Sequence, residues 1–398
     1  MTQASNAGWR SQQAAQDHRW IQRLDPQAVE GLDQALEHAR AAGKPLLEMT
    51  PDDFPLPPAC RDALRRAVAA TQSGWGLCLL KGFPVHRWSE ADCRLAYWGM
   101  GLHMGVARTQ NRASEIINDV RDAGGGYKVT NGRGYNTNAQ LDFHCDSCDV
   151  VALLCRRTAK EGGASKVISS PALVAEFARR RPDLLPVLRQ PFYYSYQGAQ
   201  DPSQPPYYRI PLLNDERSPF AFRINRKNVT AAQRDFSEVP RLSPAQIEAL
   251  DLIDELLADP GLCYSMWLEK GDMQLLNNYT TVHSRTGFVD HDHPDEKRHL
   301  LRLWLAVPDS QELPADWEPY YGDRRARLGA RRPCGAASGP PGRRVRGAPG
   351  ALHGHALATF RGPGGRTRRL NAAARPRHTN TNTTNGPCTA RPRAGPAI

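Results

Sequence analysis

The chain of 398 residues carries 52 Lys+Arg against 41 Asp+Glu, a formal charge of +11. The excess is local. Residues 323–398 hold 16 Arg, no Lys and one acid, whereas residues 1–322 hold 36 bases and 40 acids, for −4. The basic balance therefore belongs to the tail, and it excludes the charge argument for a nucleic-acid binder in the main body.

No run of about 18 apolar residues exists, so no membrane span is expected. The opening MTQASNAGWRSQQAAQDHRW lacks an apolar stretch of the secretory kind, and a cytoplasmic location follows as the expectation. Nine cysteines, an odd number, read as reduced thiols rather than a disulfide frame.

Residues 1–20 read as a frayed start, and 21–322 as one domain with a helical N-terminal part. Asp25-Pro26 supplies a cap followed by Pro at the first helical position. Val29, Leu32, Leu36 and Ala39 form an apolar stripe, and Gly43 closes the helix. A second helix is predicted from Pro58 to Thr71. GLCLLKGFPV (76–85) reads as a buried strand, and Ser89 with Asp92 caps a helix to Met104. Strand patterns follow at Glu115–Val120, Leu141–Leu154, Pro191–Tyr196, Tyr207–Leu213 and Phe220–Ile224. A helix capped by Ser243 carries Ile247, Leu250, Ile253 and Leu257 on one face as far as Pro260. Strands then resume at Met273–Phe288 and His299–Val307. The expected class is mainly β with helical decoration, α+β. Residues 323–398, with 12 Gly and 9 Pro, read as a disordered tail. Sixteen Arg without a Lys favours an out-of-frame translation product over a phosphate-binding tail.

The chemistry concentrates at His144-Cys145-Asp146. On a strand, residues two apart share a face, so His144 and Asp146 can bind one ion while Cys145 points away. His283, in NNYTTVHSRTGF, offers the third ligand. It is preferred to His291 and His293, which sit in the polar loop VDHDHPDEK. Two imidazoles and one carboxylate make a facial triad that leaves positions on Fe(II) for a bidentate keto acid and O2. A keto acid with a far carboxylate also needs a cationic anchor. Arg298 and Arg302, four apart on KRHLLRLWLAV, share a face and can supply it.

These residues resemble the TauD/TfdA family of Fe(II)/2-oxoglutarate-dependent dioxygenases over roughly 75–322. FHCD (143–146), GGASKVISS (162–170), NNYTTVHSRTGF (277–288) and RHLLRLWL (298–305) carry the resemblance. It implies a double-stranded β-helix, or jelly roll, with His144, Asp146 and His283 as both iron ligands and catalytic centre. It implies that Ser165, after the Gly162-Gly163 pair, and Arg298 bind the distal carboxylate of 2-oxoglutarate. Arg302 would then meet an acidic group of the substrate. The implied reaction consumes O2, releases succinate and CO2, and hydroxylates, desaturates or cyclises a small acidic or amino-acid-like metabolite. The presence of Asp146 favours these outcomes over halogenation.

Tyr135 and Asn136, in the loop VTNGRGYNTNAQ, are candidate substrate contacts, with Arg133 and Asn111 beside them. Tyr193, Tyr194, Tyr207 and Tyr208 read as strand packing. Two alternatives stand beside the enzyme: a catalytically impaired protein of the same fold, and a structural zinc site at Cys145-x-x-Cys148. No basic stripe interleaved with aromatics marks the body, so a small-molecule substrate is expected and nucleic acid is not.

Overall fold

A computed structural model describes residues 8–321, except Arg112, Thr130, Asp201, Arg217 and Ser218. The Arg-rich segment 323–398 lies outside the described residues. Three long helices belong to the N-terminal part: α1 (Pro26–Ala42), α2 (Pro58–Thr71) and α3 (Glu90–Met104). Their ends follow the predicted chemistry. The Asp25 carboxylate accepts from the Ala28 N–H at 2.7 Å, and Gly43 ends α1 with φ +61°. The Ser89 hydroxyl caps α3 by accepting from the Asp92 N–H.

The main sheet is built from β1 (Ile21–Arg23), β2 (Leu77–Lys81), β3 (Val106–Ala107), β4 (Ile117–Val120) and β5 (Val150–Arg157), with two later strands. The later strands are numbered after β6 (Ser165–Ser169) and β7 (Tyr264–Met266): β8 (Met273–Asn277) and β10 (His299–Ala306), with β9 (Thr281–Arg285) between them. The order is β1-β2-β8-β5-β10-β3, and β4 also pairs with β10. Only β1–β2 is parallel, so the sheet is mixed. A smaller antiparallel sheet runs β7-β6-β9. With helices α4 (Ser170–Arg180), α5 (Arg226–Asp235) and α6 (Pro244–Leu257), the class is α+β.

Period-two alternation decides what each face of the main sheet does. On β10, Leu301, Leu303 and Leu305 join the core formed with Leu32, Leu36 and Leu64 of the helices. Leu300, Arg302 and Trp304 point the other way and line a cavity. On β5, Ala152 and Leu154 face the helices, while Leu153 faces the cavity. The helices thus cover one face of the sheet and leave the other for chemistry. Close packing there depends on Gly99 of α3, where a Cβ would lie 2.2 Å from the Phe54 ring.

Four expectations are corrected. Residues 8–20 are not frayed: Trp9 and Trp20 are 4% and 1% exposed, and Trp9 donates its indole N–H to the Trp75 carbonyl. The aromatic pair anchors the segment. The run Leu141–Leu154 is strand only from Val150. Ahead of it, His144 makes isolated bridges to His283 and Asn225, and the Asp146 N–H donates to the Asn278 side chain instead of a ladder carbonyl. The run Met273–Phe288 breaks after Asn277, whose side chain accepts from the Tyr279 N–H. This turn sends β8 into the main sheet and β9 into the small one. Finally, α4 and α5 occupy stretches not predicted as helix, and Ile247 of α6 is exposed while Leu250 and Ile253 are buried.

Candidate functional site

The turn after β8 brings His283 opposite His144. Each backbone N–H donates to the other's carbonyl, at 2.9 and 3.0 Å, and the two rings lie 4.4 Å apart between centroids. Asp146 completes the group. Its Oδ1 is 3.9 Å from His144 Nε2 and its Oδ2 is 3.8 Å from His283 Nε2. One ligand atom from each residue lies within 4.8 Å of the others, so a common point exists within about 2.8 Å of all three, against metal–ligand bonds of about 2.0–2.2 Å.

The protonation states suit a cation. His144 Nδ1 faces the Asp142 carbonyl at 2.8 Å, and a carbonyl can only accept. Nδ1 therefore carries a proton towards that carbonyl, and Nε2 is turned towards Asp146. Burial and the neighbouring His144 push the His283 imidazolium down to about 3, so this ring is neutral at working pH. Burial alone would raise the Asp146 carboxyl. The charge of Arg302, helped by the hydrogen bond from Trp304, opposes it, and the group is held below its ordinary value. Trp304 Nε1 donates to Asp146 Oδ2 at 3.0 Å, and Arg302 Nη1 lies 3.5 Å from the same oxygen. Two imidazole nitrogens and one carboxylate, with His144 and Asp146 oriented by neighbours and His283 Nδ1 buried without a partner, fit a divalent first-row metal.

Competing arrangements do not form. His291 and His293 sit in the loop before β10, outside the group. Cys145 is buried with Tyr194 and Phe222, whereas Cys148 is buried with Trp304 and Leu276, so the two thiols enter different cores. No cysteine belongs to a metal-like cluster among the described residues. The zinc reading is therefore corrected. Glu90, Asp119 and His299 also converge, but Arg156 and Arg94 already pair with that group.

Arg298 is 6% exposed and lines the same cavity as the triad. Its Nη1 is buried without a hydrogen-bond partner, and its guanidinium lies over the Phe288 ring at 4.9 Å. Burial pushes it down to about 10 from the ordinary value, still fully charged at neutral pH. Arg285 lies over the same ring at 4.6 Å. It donates to the carbonyls of Thr137 and Ala139, but its Nε and Nη1 are buried and unpaired. Burial and the like charge of Arg298 push Arg285 down to about 9. Gly163, at φ +76°, makes room for this arrangement: a Cβ there would lie 3.1 Å from Arg298 Nε. Ser165 lines the cavity and donates its hydroxyl to Gln274 at 2.9 Å. Two buried guanidinium groups without a carboxylate partner among the described residues fit an acid group from outside the chain.

Of the loop candidates, Tyr135, Arg133 and Asn111 line the cavity. The Tyr135 ring lies 5.6 Å from the Arg302 guanidinium. Asn136 does not line it. Its side chain is turned onto the loop at Gly125, where a Cβ would meet Oδ1 at 2.4 Å, so the direct-contact expectation is corrected. Tyr208 lines the cavity, and its ring stacks on Tyr320 at 4.0 Å.

Sequence reasoning missed four contributors: Arg223, Lys227, Arg285 and Trp304. Arg285 and Trp304 were within reach of the parity rule, since each is two residues from a named site residue on its strand. Arg223 is 1% exposed and donates to the hydroxyls of Tyr208, Tyr320 and Tyr321, contacts made by elements distant in sequence.

Known proteins resemble this chain. The family described as taurine catabolism dioxygenase TauD, TfdA family matches residues 42–304, a span that holds every triad and arginine position named above. The FR-33289 synthase of Streptomyces rubellomurinus is 30% identical over 77% of this chain and 91% of its own length. A taurine hydroxylase-like protein of Stachybotrys chartarum is 24% identical over 74% and 77%. Among solved structures, asparagine oxygenase with Fe(II), 3-hydroxyasparagine and succinate aligns at TM-score 0.50 and 18% identity, covering 72% of this chain and 93% of that one. The non-heme iron oxygenase OrfP, with Fe, succinate and a dihydroxy-L-arginine, aligns at 0.52 and 18%, covering 78% and 99%. These structural likenesses speak to the fold.

Proposed function

The chain belongs to the TauD/TfdA family of dioxygenases, and on that premise we propose that it oxidises a C–H bond of a small acidic metabolite. It is an Fe(II)/2-oxoglutarate-dependent oxygenase, and the convergence of His144, Asp146 and His283 carries the reading. In this proposal the seven-stranded sheet and the β7-β6-β9 sheet are the walls of a jelly roll. Residues 21–321 work as one catalytic domain.

Bound Fe(II), 2-oxoglutarate and O2 supply an oxidative decarboxylation to succinate and CO2, coupled to substrate oxidation. The chain's own residues hold and orient the participants. His144, Asp146 and His283 hold the iron. Arg302 and Trp304 fix the Asp146 carboxylate, and the Asp142 carbonyl fixes the His144 ring, so two of the three ligands are oriented before the metal arrives. Arg298 takes the distal carboxylate of 2-oxoglutarate, with Arg285 against the same Phe288 ring and Ser165 in the same cavity. Phe288 and Leu300 keep water from that ion pair, which strengthens it. Tyr135 and Arg302 line the cavity with the triad and would meet the substrate there.

The test is succinate release from 2-oxoglutarate by the Fe(II)-loaded chain, screened over small acids. The expected result is a substrate that raises succinate at least tenfold and appears oxidised in equal amount. Oxidised product formed without 2-oxoglutarate would contradict the reading.

A further inference from the structure

The cavity holds more positive charge than the proposed reaction uses. Arg133, Arg223, Lys227, Arg285, Arg298 and Arg302 line it, and among the described residues Asp146 is the only acid that does so. A divalent metal and the 2-oxoglutarate dianion cancel each other, so binding both leaves this excess in place. Four of the six cations are accounted for. Arg298 and Arg285 serve the cosubstrate. Arg302 is engaged by Gln110 at 2.7 Å and by Asp146. Arg223 donates to three tyrosine hydroxyls, Ser147 and the Asp146 carbonyl.

Arg133 and Lys227 remain. Their hydrogen bonds go to backbone carbonyls: Arg133 Nη2 to Gln197 at 3.5 Å and Lys227 Nζ to Gly132 at 2.5 Å. No carboxylate pairs with either among the described residues. Lys227 also lies over the Tyr127 ring at 5.0 Å. It stands in the first turn of the ten-residue α5, whose cap Asn225 and Asn228 line the same cavity, so the positive end of the helix adds to the field. Burial and the neighbouring Arg133 outweigh the attraction of Asp142 and push Lys227 down to about 8, as expected for a buried cation that no carboxylate pairs directly.

We propose that Arg133 and Lys227 form a second anion subsite, which binds an acid group of the substrate apart from the cosubstrate's own anchor. The substrate is then a small molecule of net negative charge. A zwitterionic amino acid, the substrate type of the oxygenases with similar folds, finds no carboxylate here for its ammonium group, because Asp146 is committed to the metal. The inference rests on the oxygenase reading, and its test separates the two.

The experiment uses the full chain loaded with Mn(II) and saturating 2-oxoglutarate under nitrogen, titrated calorimetrically with inorganic sulfate, L-arginine or L-asparagine. Sulfate is expected to bind at least tenfold more tightly than either amino acid. Lys227→Met and Arg133→Met are expected to weaken sulfate at least tenfold, with 2-oxoglutarate affinity changed less than threefold, and Lys227→Arg to restore sulfate binding. Sulfate binding that is absent or insensitive to both substitutions, with 2-oxoglutarate still bound, overturns the subsite alone. So does tighter binding of the amino acids. Failure of 2-oxoglutarate to bind the Mn(II) form overturns the oxygenase reading as well.

Discussion

Arg298 is a charge stored without its partner. Its guanidinium is buried, unpaired at Nη1 and pushed down to about 10, a displacement that corresponds to roughly 3 kcal/mol of lost favour for the charged form. Substitution Arg298→Met keeps the stem packed on Phe288 and removes the charge. The free protein should therefore keep its stability within about 1 kcal/mol or gain, since apolar replacement of buried ions is often neutral or stabilising. The cosubstrate complex should behave oppositely. Truncating one partner of a buried charged pair costs about 2–5 kcal/mol. Arg285 stays against the same Phe288 ring and supplies part of the field, so the lower half applies: about 2–3 kcal/mol, or roughly 30- to 150-fold in Kd for 2-oxoglutarate. Calorimetric titration of the Mn(II) form and urea unfolding of the free form measure the two halves. A change in Kd below threefold, or a loss of several kcal/mol in the free protein, would refute the anchor and make Arg298 a structural residue.

Further outcomes follow from the same contacts. Trp304→Phe removes the hydrogen bond to Asp146 Oδ2 while keeping an aromatic ring, and should weaken Fe(II) binding about 10- to 100-fold; unchanged affinity in a metal titration would assign the orienting role to Arg302 alone. Gly163→Ala places a methyl against Arg298 Nε at a positive φ, and should raise the half-saturating 2-oxoglutarate concentration with little change in that for iron. Equal changes in both would contradict it. Glu176 is held down to about 2 by hydrogen bonds from Arg179, Arg10 and Arg180. A depressed carboxyl contributes stability that is present above its unfolded value near 4.5 and lost as pH falls towards 2. Glu176→Gln should therefore cost about 1–2 kcal/mol at pH 7, after solvent screening of the exposed guanidinium groups, and flatten the acid limb of the melting-temperature profile between those values. An unaltered acid limb would show that the cluster contributes nothing.

Much of this fold was readable from local rules. The ends of α1, α2, α3 and α6 follow from caps, first-turn prolines and Gly43, because those interactions lie within a few residues. The triad was readable too, although for a partly different reason. His144 and Asp146 were expected to share the face of a continuous strand. They converge instead from a segment that makes only isolated bridges, held by Asn278 and by His283 itself. The break after Asn277 was hidden because an Asn-Asn-Tyr-Thr run between apolar stretches is compatible with a strand. Its side-chain turn appears only once the two sheets exist. The same limit explains Lys227 and Arg223. Each meets partners far away in sequence, and neither periodicity nor a motif marks it. Asn136 shows the converse, since a loop position beside a site need not face it.

The most direct test of the central claim is Fe(II) binding measured under nitrogen on the intact chain and on His144→Ala, Asp146→Ala and His283→Ala, with 2-oxoglutarate-dependent succinate release recorded on the same samples in air. The account expects one tightly bound iron per chain, lost in each variant together with succinate release. Iron retained at full occupancy, or succinate still formed at the parent rate, in any one of the three would contradict it.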